Sequence, residues 1–162
     1  MSELTHMDDK GRVRMVDVTE KSPSRRSAVA QAVVQMTAET FQHIHAGTVS
    51  KGNVLETARI AGVMAAKQTA QLIPMCHPLN LTHVQVDFFP EAASHAIRIQ
   101  ATARIVDQTG VEMEALTAVC VAALTLYDMC KAIDKTMIIT DVCLLKKTGG
   151  KSGSFQRKAA HP

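Results

Sequence analysis

Tryptophan is absent from the sequence, tyrosine occurs once and phenylalanine four times. So few aromatic rings argue against the stacking platforms on which single-stranded nucleic acids are bound. No dense basic stripe takes their place. The net charge is only +3, and the one notable cluster is Lys146, Lys147 and Lys151 near the end. That balance speaks against a nucleic-acid partner and favours a small anionic ligand. The four cysteines, Cys76, Cys120, Cys130 and Cys143, have no CxxC spacing, and they read as reduced, mostly buried thiols of a cytosolic protein. The first residues, MSELTHMDDKGR, contain no apolar h-region, so no signal peptide is visible. A cytoplasmic location without a membrane partner is the expectation.

What is present suits one soluble domain. Hydrophobic residues make up 46% of the 162 positions and charged residues 20%, enough for a real core. Alanine and nine methionines fill the space that aromatics usually take, which suggests close helix packing.

The chain is organised around TGVEMEALTAVCVAALTLYDMCKA, Thr109 to Ala132. Its centre, Ala115 to Tyr127, carries no charge, and a helix that is apolar nearly all round is a buried one. The charge-free run is short of the roughly 20 residues that a bilayer requires. Thr109 and Glu112 have the form of a capping box. Asp128 has no such structural explanation, because it stands near the helix C-terminus, where a carboxylate faces the negative pole. Lys131, three residues on, pairs with it on one face. At about 100° per residue, Glu114, Thr117, Val121, Thr125 and Asp128 share a stripe. Glu114 and Asp128 nevertheless lie roughly 21 Å apart along the axis. If both serve one site, a second subunit must complete it, with two such helices antiparallel about a two-fold axis.

Along the chain, residues 1–13 read as a mobile polar tail, 14–146 as a single α+β catalytic domain and 147–162 as a Gly/Lys-rich flexible tail. Met15–Val18 reads as a short strand, and Arg25 and Arg26 open an expected helix running to Met36. A second helix spans Thr37, its N-cap, to Gly47. His43 and His45, two apart, point to different helix faces and do not make a metal pair. Asn53 and Glu56 form a cap for a helix over 54–73 that Pro74 ends. Arg59 and Lys67 in that helix read from spacing alone as solvated residues. Period-two alternation then marks two strands, Val84–Phe88 and Ile97–Ile105, paired as a hairpin. A helix over 111–133 and a last strand over 137–145 follow. The order predicts a ferredoxin-like βαββαβ sandwich with an additional helix and an antiparallel sheet.

His77, held between Pro74 and Pro78, suits ligand hydrogen bonding or proton transfer. Cys76 beside it has no evident activating base. The tail KKTGGKSGSF is not a P-loop, because Leu145 stands where that motif requires glycine and no helix follows. It reads either as a loose tail or as a flap over phosphates.

KGNVLETARIAGVMAAK, LIPMCHPL, TGVEMEALTAVCVAALTLYDMCKA and KKTGGKSG, in this order, closely resemble the MoaC-type family of cyclic pyranopterin monophosphate synthases in molybdenum cofactor biosynthesis. The resemblance covers roughly residues 14 to 154. It implies a ferredoxin-like subunit in a homohexamer, a trimer of dimers, with active sites between subunits. The implied substrate is a nucleotide-derived small molecule, a cyclised dihydroguanosine triphosphate, and the implied products are cyclic pyranopterin monophosphate and pyrophosphate. Carried over residue by residue, the pattern places catalysis at Asp128 and Lys131. It places substrate binding at Met75, Cys76, His77, Glu112, Met113, Glu114, Lys51, Lys67 and Lys147. Arg25 or Arg26 matches a further arginine. Asn53 stands where an acidic residue is expected, and Met75 where an aliphatic one is common. No metal-ligand cluster is evident in the chain, and magnesium is expected only as a companion of the triphosphate. An upstream radical enzyme would supply the substrate, which makes transient contact with it an expectation.

Overall fold

Ala28, Ala30, Ala32 and Val34 are almost completely buried, because Ser24–Gln35 is a strand, β1, with these side chains on one face. In the computed structural model, which describes residues 10–158, this strand replaces the helix expected from Arg25 to Met36. Alanine favours helix in isolation, but only small residues on a strand let another element settle closely upon it, so packing overrides propensity. The expected strand at Met15–Val18 is extended chain without sheet pairing. Residues 1–9 and 159–162, parts of the two expected tails, lie outside the described residues.

The remaining elements follow the expected order. Helix α1, Ala38–Ala46, is capped by Thr37, whose hydroxyl accepts from the Thr40 amide, and ends at Gly47 with φ 67°. Asn53 caps α2, Val54–Lys67, by accepting from the Glu56 amide at 3.1 Å. The helix breaks at Gln68, and a short turn, α3, Thr69–Leu72, completes the stretch before Pro74. Strands β2, His83–Glu91, and β3, Ala96–Asp107, form the hairpin. Helix α4, Glu112–Cys130, leads to β4, Ile138–Thr148, which runs past the expected end at Leu145. The chain then turns back through its glycines, and β5, Phe155–Gln156, pairs with Lys146 and Lys147.

The sheet order is β2-β3-β1-β4-β5 and every pairing is antiparallel. Its first four strands have the ferredoxin-like arrangement, with helices on one face. Long enough and apolar enough to cross a membrane, α4 is instead a core helix. Its Ala115, Ala118, Val119, Ala122 and Ala123 are fully buried in the same cluster as the β1 alanines. On the other side of α4, Gly62 of α2 comes so close that an added Cβ would lie 2.9 Å from the Ala118 carbonyl oxygen. Arg59 braces α2 to β2, pairing with Glu56 at 3.1 Å and lying over the Phe88 ring.

Beyond α4, buried Asp134 ties the chain to α1. Its carboxylate accepts from the Thr37 amide at 2.9 Å and the Thr136 amide at 2.8 Å, and from the Thr136 hydroxyl at 2.6 Å. These bonds hold its pKa below the ordinary 3.8. Asp134→Ala should therefore lower the unfolding free energy by about 2 kcal/mol near neutral pH, as read by urea denaturation. A depressed folded-state pKa gives stability that is complete above the unfolded value and lost as pH falls through the folded one. The wild type and the variant should thus converge in acid.

Candidate active site

The N-terminus of α4 and the loop between α3 and β2 enclose a cavity of about 270 Å³. Six of the residues expected to bind substrate line it: Met75, Cys76, His77, Glu112, Met113 and Glu114. Pro74 and Pro78 stiffen the loop, and His77 Nε2 donates to the Val16 carbonyl at 2.9 Å. A neutral ring bonded in this way keeps its lone pair on Nδ1. Val16, Leu79, Thr109 and Gly110 also line the cavity. Of these, Val16 lies in the apolar run MVDV expected to form a strand, Thr109 reads from sequence as a helix cap, and Leu79 and Gly110 fall within the stretches that carry the family resemblance.

Glu114 is 3% exposed. Burial pushes its pKa up to about 7, with a further push from the nearby Glu112 charge against the lowering effect of a backbone hydrogen bond. A carboxyl of this kind can take up or release a proton at neutral pH. Cys76 is raised by burial and by the Glu114 charge, so it remains a thiol at neutral pH.

The capping role expected of Thr109 does not occur. Val111 holds the cap position of α4 with no side-chain bond, and the Glu112 carboxylate folds back over Gly110. Freed from capping, Glu112 pairs with Lys147 of β4 at 3.5 Å. Lys147 also donates to Ser152 Oγ, within the Gly-rich turn. That turn is packed against β1. A Cβ on Gly149 would collide with the Arg25 carbonyl, and one on Gly150 with the Arg26 guanidinium. Arg26 donates to the carbonyls of Asp107 at 2.9 Å and Gln108 at 2.8 Å, holding the chain that enters the cavity wall.

At the far end of α4, Asp128 accepts from Lys131 at 2.7 Å and from Lys51 at 3.3 Å. Lys51 also donates to the Asp128 carbonyl oxygen at 2.7 Å. Hydrogen bonds from Lys131 and Lys51 lower the Asp128 pKa, and the Asp128 carboxylate raises that of Lys131. The pair rests as carboxylate and ammonium, each charge stabilised by the other. Asp128 is 57% exposed at its side chain. None of these three residues lines the cavity, and Lys67 stands apart from both groups, beside Thr82 and His83. Among the described residues, no group of three His, Cys, Asp or Glu could hold a metal ion.

A model of the MoaC family matches residues 15–150. The chain is 64% identical over 155 residues to a cyclic pyranopterin monophosphate synthase from Desulforapulum autotrophicum, covering 96% of this chain and 95% of that protein. It is 59% identical to the proteins so named from Desulfatibacillum aliphaticivorans and from Roseiflexus sp., each over 96% of this chain and 98% of the relative.

Glu114 supplies a test of the cavity's electrostatics. Folded, it keeps its proton up to about pH 7, whereas the unfolded chain releases it near 4.5. Between those values the folded state binds more protons, so stability falls as pH rises and levels off above about 7. Glu114→Gln removes this loss. From about pH 5 to about pH 8 the variant should gain roughly 2 kcal/mol on the wild type in urea unfolding.

Proposed function

Because the chain belongs to the MoaC family, we propose that it performs the reaction for which its relatives are named, forming cyclic pyranopterin monophosphate from a cyclised dihydroguanosine triphosphate in molybdenum cofactor biosynthesis, with release of pyrophosphate. The observation that carries this reading is one helix holding a neutral-pH carboxyl in a cavity at its start and an ion-paired acid and base at its end.

In the proposed site, His77, Glu112 and Glu114 orient the purine-derived and ribose parts, with Met75, Cys76 and Met113 as the apolar wall. Asp128 and Lys131 transfer protons during ring opening and closure. In the last step a substrate hydroxyl oxygen attacks the α phosphorus and gives its proton to a base. The bond to the β-phosphate breaks, and pyrophosphate leaves with the bonding pair. Lys51, Lys67 and Lys147 offset the charge that develops on those oxygens. Magnesium would enter with the triphosphate, since it binds through phosphate oxygens and one or two carboxylates.

The distance between Glu114 and Asp128 supports a site completed by a second subunit. Two α4 helices crossing antiparallel near Val121 would bring the Asp128 of one beside the Glu114 of the other. Exposed Leu124 on α4, with Ile60 and Met64 on α2, provides apolar surface for that contact. We extend this dimer to the homohexamer, a trimer of dimers, that the resemblance implies, working in the cytoplasm, with transient contact to the upstream radical enzyme that makes the labile substrate.

Incubation with the cyclised triphosphate should give pyrophosphate and a fluorescent pterin after oxidation, and Asp128→Asn should lose both while remaining assembled. Tight saturable binding without turnover by the wild type would instead make the protein a nucleotide sequestrant. Glu114→Ala and Asp128→Ala, each inactive alone, should regain part of the activity when mixed under subunit exchange. No recovery despite exchange would sink the shared site.

A further inference from the structure

Val16 stands apart from the rest of the cavity wall. Every other lining residue falls between Met75 and Glu114, whereas Val16 precedes β1. It is carried by a stretch of chain that has no sheet pairing from Arg14 to Pro23. That stretch is nevertheless shaped. The Thr19 amide donates to the Asp17 carboxylate at 2.9 Å, and the Lys21 amide donates to the Val18 carbonyl at 2.9 Å. These local bonds make a bend between the cavity and the start of β1.

The stretch is also weakly anchored. Met15 is 48% exposed, and Val16 is half-buried and outside the apolar core cluster. Segments with few buried apolar contacts are the ones that open locally. Among the described residues from Arg14 to Pro23, the hydrogen bond that reaches the domain is the one that His77 Nε2 donates to the Val16 carbonyl. One neutral hydrogen bond holds weakly. It is placed, however, where it can govern the site, since Val16 and His77 line the same cavity.

We propose that residues 14–18 are a strap that closes the cavity, with Val16 as a further binding and positioning residue. Its side chain covers the ligand's ring on the open side of the cavity, beside Met75, Leu79 and Met113. Its carbonyl commits the proton of the neutral His77 ring to Nε2, so that Nδ1 meets the ligand as an acceptor. The site then selects a ligand that presents an N–H or O–H donor at that point. That this ligand is the purine-derived triphosphate rests on the proposed reaction; the closure of the strap does not.

The strap can be tested in the assembled full chain before any ligand is added. Replacing Met15, Val16, Asp17 and Val18 with glycine keeps the chain length and frees the backbone. Nitrogen NMR of histidine-labelled protein, with His77 assigned through His77→Gln, should show the Nε2–H form in the wild type and both tautomers in the glycine variant. Alkylation of Cys76, which lines the same cavity, should be roughly fivefold faster or more in the variant, as read by mass spectrometry. Either an unchanged His77 pattern or an unchanged Cys76 rate in the folded variant would overturn the strap. Under turnover, Val16→Gly should raise KM roughly fivefold and leave kcat within about twofold, a split that loss of folded protein does not produce. An unchanged KM would remove Val16 from the binding site. Absence of turnover in the wild type would count against the proposed reaction alone, because the tautomer and the alkylation rate are read without substrate.

Discussion

Close packing of α4 onto β1 is the constraint on which the rest of the structure depends. The helix is apolar nearly all round, so it must be covered on most sides. Coverage at short range is feasible because β1 presents Ala28, Ala30 and Ala32 and α4 answers with Ala115, Ala118 and Ala122. Gly62 allows α2 to approach from the opposite side. Larger side chains along this seam would force the helix off the sheet and open the cavity at its start.

Burial of the middle drives the chemistry to the ends. At the N-terminal end, low solvent access raises Glu114 to near neutrality. At the C-terminal end, Lys131 and Lys51 hold Asp128 ionised in an open setting. Two carboxylates on one helix are thus pushed in opposite directions, one by desolvation and one by neighbouring cations. Such divergence suits one group to hold a proton and the other to accept one. A rigid helix also fixes their separation, so one chain cannot bend to unite them.

Much of this was legible in the residues. Alternation at Val84–Phe88 and Ile97–Ile105 marked the hairpin, because each strand has one covered face. The caps at Thr37 and Asn53 were equally readable, since capping depends only on a few adjacent atoms. The six cavity residues were named through family resemblance, and the fold brings them together. What misled was local evidence with a tertiary answer. Alanine-rich β1 reads as a helix until its partners are known. Thr109 and Glu112 have capping spacing, yet Glu112 turns instead to Lys147, a residue distant in sequence and adjacent through the sheet. The Gly-rich tail looked loose, but its glycines are what allow it to fit over Arg25 and Arg26.

By itself the sequence determined the α+β class, the buried helix with ionisable ends and the distance that separates those ends. These properties follow from periodicity, helical rise and the cost of burying charge, all of which act within a short stretch of chain. Only the tertiary structure decided that β1 lies at the centre of the sheet, that Glu114 is desolvated and that Arg26 braces the cavity wall. Each of these depends on register between strands far apart in sequence, and register is set by the summed fit of the whole core, which no local window contains.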